Sequence, residues 1–278
     1  MHFAYMYESS TMASKKRSSS REKPRRLTAV DSEEAFLGAY DARAFEQVSV
    51  AVDVALLSVA QGAMRVRLVQ RTEHPARGKW ALPGGFVRPA ESLDAAAARV
   101  LHDKAGVSGV FLEQLYTFGD PRRDPRTRVI SVAYYALVAS DGGTSKTPGQ
   151  ELGKIIVPWE GETGGEVDVI ATAPLPSGDA AGKPMALAFD HASILGMAIK
   201  RVRGKLDYTP IGFQLLPARF TLRMLQDVHE TILGRALNKD SFRRRMLASE
   251  LLEATGEHED DTPHRPAELY RFTRRSAV

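Results

Sequence analysis

An α+β chain of two domains is the architecture the sequence predicts, and three observations predict it. The 278 residues exceed one ordinary domain and suit two. Runs rich in β-branched residues fill the first half, interrupted by single helical patterns with no regular βα alternation. Two capped helices separated by a short polar turn, then two strand-like runs, fill the second half.

Composition sets the outer limits. Hydrophobic residues make up 43% and charged residues 26%, a balance that supports folded cores. No uninterrupted apolar stretch approaches the ~18 residues of a membrane span, and the start lacks the apolar segment of a secretory leader. The expectation is a cytoplasmic protein with no membrane partner. Absence of cysteine excludes disulfides and thiolate metal sites. Charge is uneven: residues 1–28 carry +5, residues 29–199 carry −5 and residues 200–278 carry +4, so a polyanion would be met by the ends.

Residues 1–28, including SSTMASKKRSSSREKPRR, read as a disordered basic tail, and Met12 offers an alternative initiator. Order begins near Gln47. VSVAVDVALLSV and MRVRLVQRT, split by Ala60-Gln61-Gly62-Ala63, form a hairpin. After TEHPARGKWALPGGFVRP, the segment ESLDAAAARVLHDKAGV places Leu93, Ala97, Val100 and Leu101 at helical spacing, with Gly106 as its C-terminal stop. FLEQLYTFG and RVISVAYYALVA read as strands before the turn-rich DGGTSKTPGQ. This first domain spans 45–180, and APLPSGDAAGKPM follows as an interdomain linker or late loop.

The second domain spans 190–278. Asp190 is positioned to cap HASILGMAIKRVRGKL, whose Ile194, Leu195, Ala198 and Val202 share a face while Lys200, Arg201, Arg203 and Lys205 point elsewhere. Thr209-Pro210 starts the short helix IGFQLL, which Pro217 stops. Thr221 caps a helix with Leu222, Leu225, Val228, Ile232 and Leu233 inward, and Gly234 ends it. Past the turn Asn238-Lys239-Asp240, the helix SFRRRMLAS takes its cap from Asp240 or Ser241 and turns Phe242 and Met246 inward. LLEAT and ELYRF then form a β-hairpin, which makes the whole a winged helix-turn-helix.

Such a unit reads double-stranded DNA with its second helix in the major groove. Candidate DNA contacts are Thr221, Lys239, Ser241, Arg243, Arg244, Arg245 and, in the wing, Arg265. The acidic GEHEDD turns the wing tip away from phosphates except through His264 and Arg265. A helical dimerisation module with a solvated arginine run is the alternative reading of these residues, as is an RNA-binding or scaffold protein.

The loop and helix GGFVRPAESLDAAAARVLHDKAGV carry the chemistry of the first domain. Gly85, Glu91, Arg99 and Ala105-Gly106-Val107, preceded by WALPGG, resemble the frame of the Nudix box of diphosphate hydrolases. That family holds Mg²⁺ on oxygen ligands of one helix face while the ions bridge a diphosphate. The matching carboxylate positions here hold Val100, Asp103 and Lys104. The resemblance implies a Nudix-like α/β/α sandwich with a mixed sheet and an ion pair between Glu91 and Arg99, while the departures at Val100 and Lys104 lead us to expect no catalytic residues, no bound metal and no cofactor. Gly84, Gly85, Arg71 and Arg99 are candidate ligand contacts. Arg122, Arg123, Arg126 and Arg128 are candidate fork donors to phosphate oxygens, and Trp80, Phe118 and Tyr134 candidate stacking partners for adenine.

With FQLLPARFTLRMLQDVHETILGRALNKDSFRRRM downstream, the chain resembles the Nudix-related transcriptional regulators of NAD metabolism over residues 45–272. The resemblance implies a homodimeric repressor that binds a palindromic operator and senses ADP-ribose or a related NAD-derived nucleotide. The rival is an active hydrolase using Asp103 with Glu113 or Asp120 around Mg²⁺.

Overall fold

The computed structural model describes residues 32–139, 149–161, 163–175, 178, 180–206, 208–259 and 266–273. The basic tail, Met12, His264, Arg265 and most of DGGTSKTPGQ lie outside the described residues. Residues up to Gln47 form a unit of their own. In it Ser32 caps α1 (Glu33–Ala39), and Tyr40 lies between Phe36 and Phe45 at centroid distances of 5.9 and 5.8 Å. Sequence reading, which set the onset of order near Gln47, missed this helix because seven residues are too few to show a period.

From Val48 onward the chain is one compact unit. β1 (Ser49–Ala60) and β2 (Ala63–Gln70) pair antiparallel, as expected. Gln61 (φ 52°) and Gly62 (φ 64°) both take the left-handed conformation that a two-residue hairpin of matching twist requires. β3 (Trp80–Ala81) pairs with β2 and β4 (Gly84–Phe86) with β1. α2 (Leu93–Ala105) is capped by Ser92 and stopped by Gly106 at φ 66°. β5 (Phe111–Phe118), β6 (Val129–Leu137), β7 (Gln150–Ile156) and β8 (Asp168–Ala171) complete a mixed sheet in the order β5-β6-β1-β2-β7-β8, with β1 and β6 parallel.

Alternation along β1 builds the layers. Val52, Val54 and Leu56 face α2 together with Val132, Tyr134 and Ala136 of β6. Ala55 and Leu57 face the opposite side, where Ile194, Leu195, Ala198 and Val202 of α3 (His191–Lys205) are fully buried. The α/β/α sandwich is therefore present, with α3 as its second outer layer. The same apolar cluster continues through Phe213 and Phe220 into the helices that follow.

One of three expectations about this region is decided and two are corrected. Of the two readings of APLPSGDAAGKPM, its described end is a late loop on the sheet and not a free linker: Met185 N–H donates to Val169 O at 2.8 Å, and the Met185 side chain is buried. Asp190 makes no cap bond, because Arg123 takes its carboxylate. Arg203 does not point away from the core. It is buried and donates to Ile232 O at 2.8 Å, Gly161 O at 3.1 Å and Trp159 O at 3.3 Å, tying α3 to the end of the next helix.

A 3₁₀ turn (Pro210–Leu215) leads to α4 (Leu222–Leu233), capped by Thr221 and stopped by Gly234 at φ 70°. α5 (Lys239–Ala248) takes its cap from Asn238, whose Oδ1 accepts the Ser241 N–H at 3.0 Å; Asp240 and Ser241 lie within the helix rather than at its cap. β9 (Leu252–His258) and β10 (Glu268–Phe272) form the expected hairpin, and Phe220 pairs with Tyr270 through both backbone bonds.

The seat of α3 depends on Gly196, since a Cβ there would stand 1.7 Å from the Gly165 carbonyl oxygen. Gly196→Ala is expected to lower the unfolding free energy by about 1–3 kcal/mol in a urea titration. An unchanged midpoint would show that this contact does not hold α3 in place.

Candidate functional site

A cavity of about 510 Å³ opens at the edge of the sandwich, between β1, β2, β4, α2 and the start of α3. Its floor is polar although it lies inside a strand that is otherwise apolar. Asp53 interrupts the buried run of β1 and is itself buried. Its carboxylate accepts from Ser131 Oγ at 2.6 Å and from the Arg123 guanidinium at 3.3 Å. Gly84 passes directly over it: a Cβ at that position would fall 2.1 Å from Asp53 Oδ1, so only glycine fits.

Arg123 joins two elements. Beyond Asp53, its Nε and Nη2 grip both oxygens of Asp190 at 2.9 and 2.7 Å, in a fork whose side chain is only 5% exposed. Beside it, His191 Nδ1 accepts the Leu82 N–H at 2.9 Å and Nε2 lies 3.6 Å from Asp53 Oδ1. That arrangement fits the neutral ring with its proton on Nε2, and burial holds the imidazole below its ordinary value of 6.5.

The rest of the wall is cationic and aromatic. Arg71 lies over the Phe189 ring, 4.9 Å from its centroid, and Phe189 holds a positive φ of 51°. Arg126 lies 5.6 Å from the centroid of Phe86, a ring 47% exposed at the mouth, and pairs with Asp124. Lys104 reaches in from α2 and donates to the Gly84 carbonyl; desolvation pulls its pKa below the usual lysine value, partly opposed by Asp53.

The remaining box positions divide cleanly. Glu91 and Arg99 form the expected ion pair: Arg99 Nε donates to Glu91 Oε2 at 2.9 Å, and the Arg88 N–H donates to Glu91 Oε1 at 2.8 Å. Chiefly through Arg99, the Glu91 carboxyl is pulled down to about 2. Val100 is 1% exposed and packs in the core under α2, 3.3 Å from where a Gly85 Cβ would be. Asp103 is exposed beside His102. Among the described residues, no group of three or more His, Asp or Glu side chains could hold a metal ion.

Of the residues singled out from sequence, Arg71, Gly84, Gly85, Asp103, Lys104, Arg123 and Arg126 line the cavity. Arg122 does not: its side chain is 92% exposed on the turn set by Asp120. Arg128 stays beside Val129 O, and Arg99 is spent on Glu91 and Phe86 O. Trp80 is buried in the α3-side core, Phe118 leans edge-on against Tyr116, and Tyr134 is buried on the α2 side with its hydroxyl donating to Asp94 at 2.6 Å. Glu113 pairs with Lys205, and Asp120 with Arg122, so neither joins Asp103. Phe86, Phe189 and His191 were not foreseen. Asp53 was signalled only by a lone carboxylate inside an apolar run.

The second candidate site lies on the winged helix. A cleft of about 470 Å³ runs between α4, α5 and the hairpin and is lined by Thr221, Arg223, Lys239, Arg243, His258 and Glu268. Thr221 is buried as a cap, Ser241 and Arg244 are exposed, and Arg245 lies 5.8 Å from the Phe242 centroid. The acidic strand β9 is partly neutralised, by Arg219 on Glu257 and Arg271 on Glu253.

Domain families match both halves: the NUDIX domain over residues 49–161 and the NrtR DNA-binding winged helix domain over residues 212–272. A diphosphate-type fold joined to a DNA-reading unit defines a transcriptional regulator. The chain is 35% identical over 243 residues to the ADPR responsive transcriptional repressor NtrR of Acinetobacter baylyi, covering 87% of this chain and 88% of that one. It is 32% identical to Shewanella oneidensis NrtR in a complex with a 27mer DNA, at a TM-score of 0.65 over 81% of this chain and 93% of that one. A MutT/nudix family protein of Enterococcus faecalis is 29% identical, at a TM-score of 0.67 over 87% and 94% of the two chains. The chain belongs to the NrtR family of Nudix-related transcriptional regulators.

His191 gives the site a pH signature. A ring that stays neutral when folded but protonates below about 6.5 when unfolded means that the unfolded chain binds more protons, so stability falls as pH drops from 7 toward the folded pKa. Melting temperatures measured from about pH 7.5 to about pH 5.5 are expected to decline less in His191→Asn, whose amide oxygen can still accept the Leu82 N–H. Equal declines in both proteins would contradict the neutral ring.

Proposed function

We propose that this chain is a cytoplasmic, homodimeric repressor of NAD metabolism genes that binds ADP-ribose or a related NAD-derived nucleotide in the sandwich cavity without hydrolysing it. The observation that carries this reading is the fate of two box positions: Val100 lies in the core and the Lys104 ammonium lies in the cavity. These residues do not fit a magnesium cluster. Val100 offers no oxygen, and an ammonium about 4 Å from a cation costs about 1–4 kcal/mol per unit charge in a wet site. The same ammonium, with Arg71, Arg123 and Arg126, suits the oxygens of a diphosphate. Phe86 at the mouth and Phe189 inside supply aromatic faces for a base.

Coupling to DNA runs through α3. Arg123 holds Asp190, the residue just before its first turn, and Arg203 holds its far end to Ile232 O at the close of α4. A diphosphate competes with Asp190 for Arg123 and so loosens the first turn of α3. Motion there reaches α4 and α5 and changes the separation of the two recognition helices on a palindromic operator. For release, the effector binds the DNA-incompetent dimer more tightly, by about 1–3 kcal/mol for typical coupling. The curated relative described as ADPR responsive supports this choice of effector.

Calorimetric titration of the full chain with ADP-ribose is expected to give one affinity whether Mg²⁺ or a chelator is present. Arg126→Ala should weaken binding about tenfold or more, the worth of one hydrogen bond to a charged group. Steady formation of AMP and ribose phosphate in Mg²⁺ would overturn the reading in favour of the hydrolase.

A further inference from the structure

The three consecutive arginines of α5 point in three directions, and the outermost, Arg244, shares its arc with Asp240 and with the apolar Leu247. Phe242 and Met246 are buried four residues apart and set the inward face, with Phe242 edge-on to the His229 ring at 5.1 Å. At about 100° per residue, Arg243 then lies to one side, where it lines the cleft with His258. Arg245 lies on the other side, over the Phe242 ring. Asp240, Arg244 and Leu247 fall within one outward arc of about 60°. Leu247 is 45% exposed, and among the described residues of 212–272 it is the one large apolar side chain left open to solvent.

A lone exposed leucine is ordinary on a protein surface, so its position must carry the argument. Asp240 on the same arc would be repelled by phosphates, whereas a carboxylate can accept from a cytosine amine; the arc therefore suits base edges better than the backbone. From Asp240 to Leu247 the helix advances about 10 Å, the height of about three base pairs. In the major groove, thymine alone presents an apolar group, its C5-methyl.

We propose that Leu247 is a sequence-specificity determinant that packs on the methyl group of a thymine, one or two base pairs from the pair read by Arg244. The inference rests on α5 being the recognition helix. Selection of the full chain against random duplex DNA should yield a half-site with a thymine whose replacement by deoxyuracil, which removes only the methyl, weakens binding about fourfold. Leu247→Ala should lose both the preference at that position and the thymine–uracil difference. Arg244→Ala should weaken binding yet keep that difference.

If every thymine of the selected site can be replaced by deoxyuracil without effect, the inference fails while DNA recognition stands. That arm uses only the unaltered chain, so it holds even if a variant does not fold. An altered hydrodynamic mass for Leu247→Ala with an unchanged sequence preference would assign the leucine to a protein contact and likewise overturn the inference. Failure of the unaltered chain to select any sequence would overturn both readings.

Discussion

Arg123 is the point at which the sheet, the cavity and α3 meet. Its buried guanidinium holds Asp53 of the central strand and both oxygens of Asp190, the residue from which α3 departs. Burying three charges costs desolvation that their attraction only partly returns, so such a cluster is weak evidence for stability. It does fix a geometry, because removing any one member strands the others without compensation. Asp53 and Arg123 line the cavity, so an anion entering there meets the same guanidinium that holds the start of the helix. Arg203 repeats the arrangement at the opposite end of α3 with carbonyl acceptors in place of carboxylates.

The diphosphate-hydrolase frame has been divided between structure and electrostatics. Glu91 and Arg99 keep the loop before α2 in register with the helix, and Gly85 lets that loop pass over Val100. Catalysis in the parent chemistry needs a different set of atoms, a row of carboxylates on the same helix. Of the three positions that the resemblance assigns to carboxylates, one holds the buried Val100, one the cationic Lys104 and one keeps a carboxylate in Asp103. In the function proposed above, binding a diphosphate draws on positive charge and shape, which Arg71, Lys104, Arg123 and Arg126 around the cavity supply.

Much of this was legible in the sequence where the signal is local. The hairpin at Gln61-Gly62, the caps at Thr221 and Gly234, and the box spacing from Gly85 to Gly106 depend on neighbours within a few residues, and the structure places them as expected. β7 and β8 were not legible: QELGKII mixes polar residues with a glycine whose absent side chain leaves room for Val169 and Met185. The cavity wall was half legible. The arginine cluster at 122–128 marked the right loop, but only the turn set by Asp120 decides that Arg123 faces in and Arg122 faces out. Phe86, Phe189 and His191 belong to the site through tertiary pairing alone, and Trp80 and Tyr134, good stacking candidates by type, are taken up by the core.

In the proposed function, effector binding reaches the DNA-reading helices through α3 and its two arginine anchors. Hydrogen–deuterium exchange of the full chain, with and without saturating ADP-ribose, reads this coupling along the backbone. Altered exchange is expected in the first turn of α3 after Asp190 and again in α4 near Ile232, in addition to the cavity walls. Changes confined to β1, β4 and the loop around Arg123, with α3 and α4 unaltered, would contradict it.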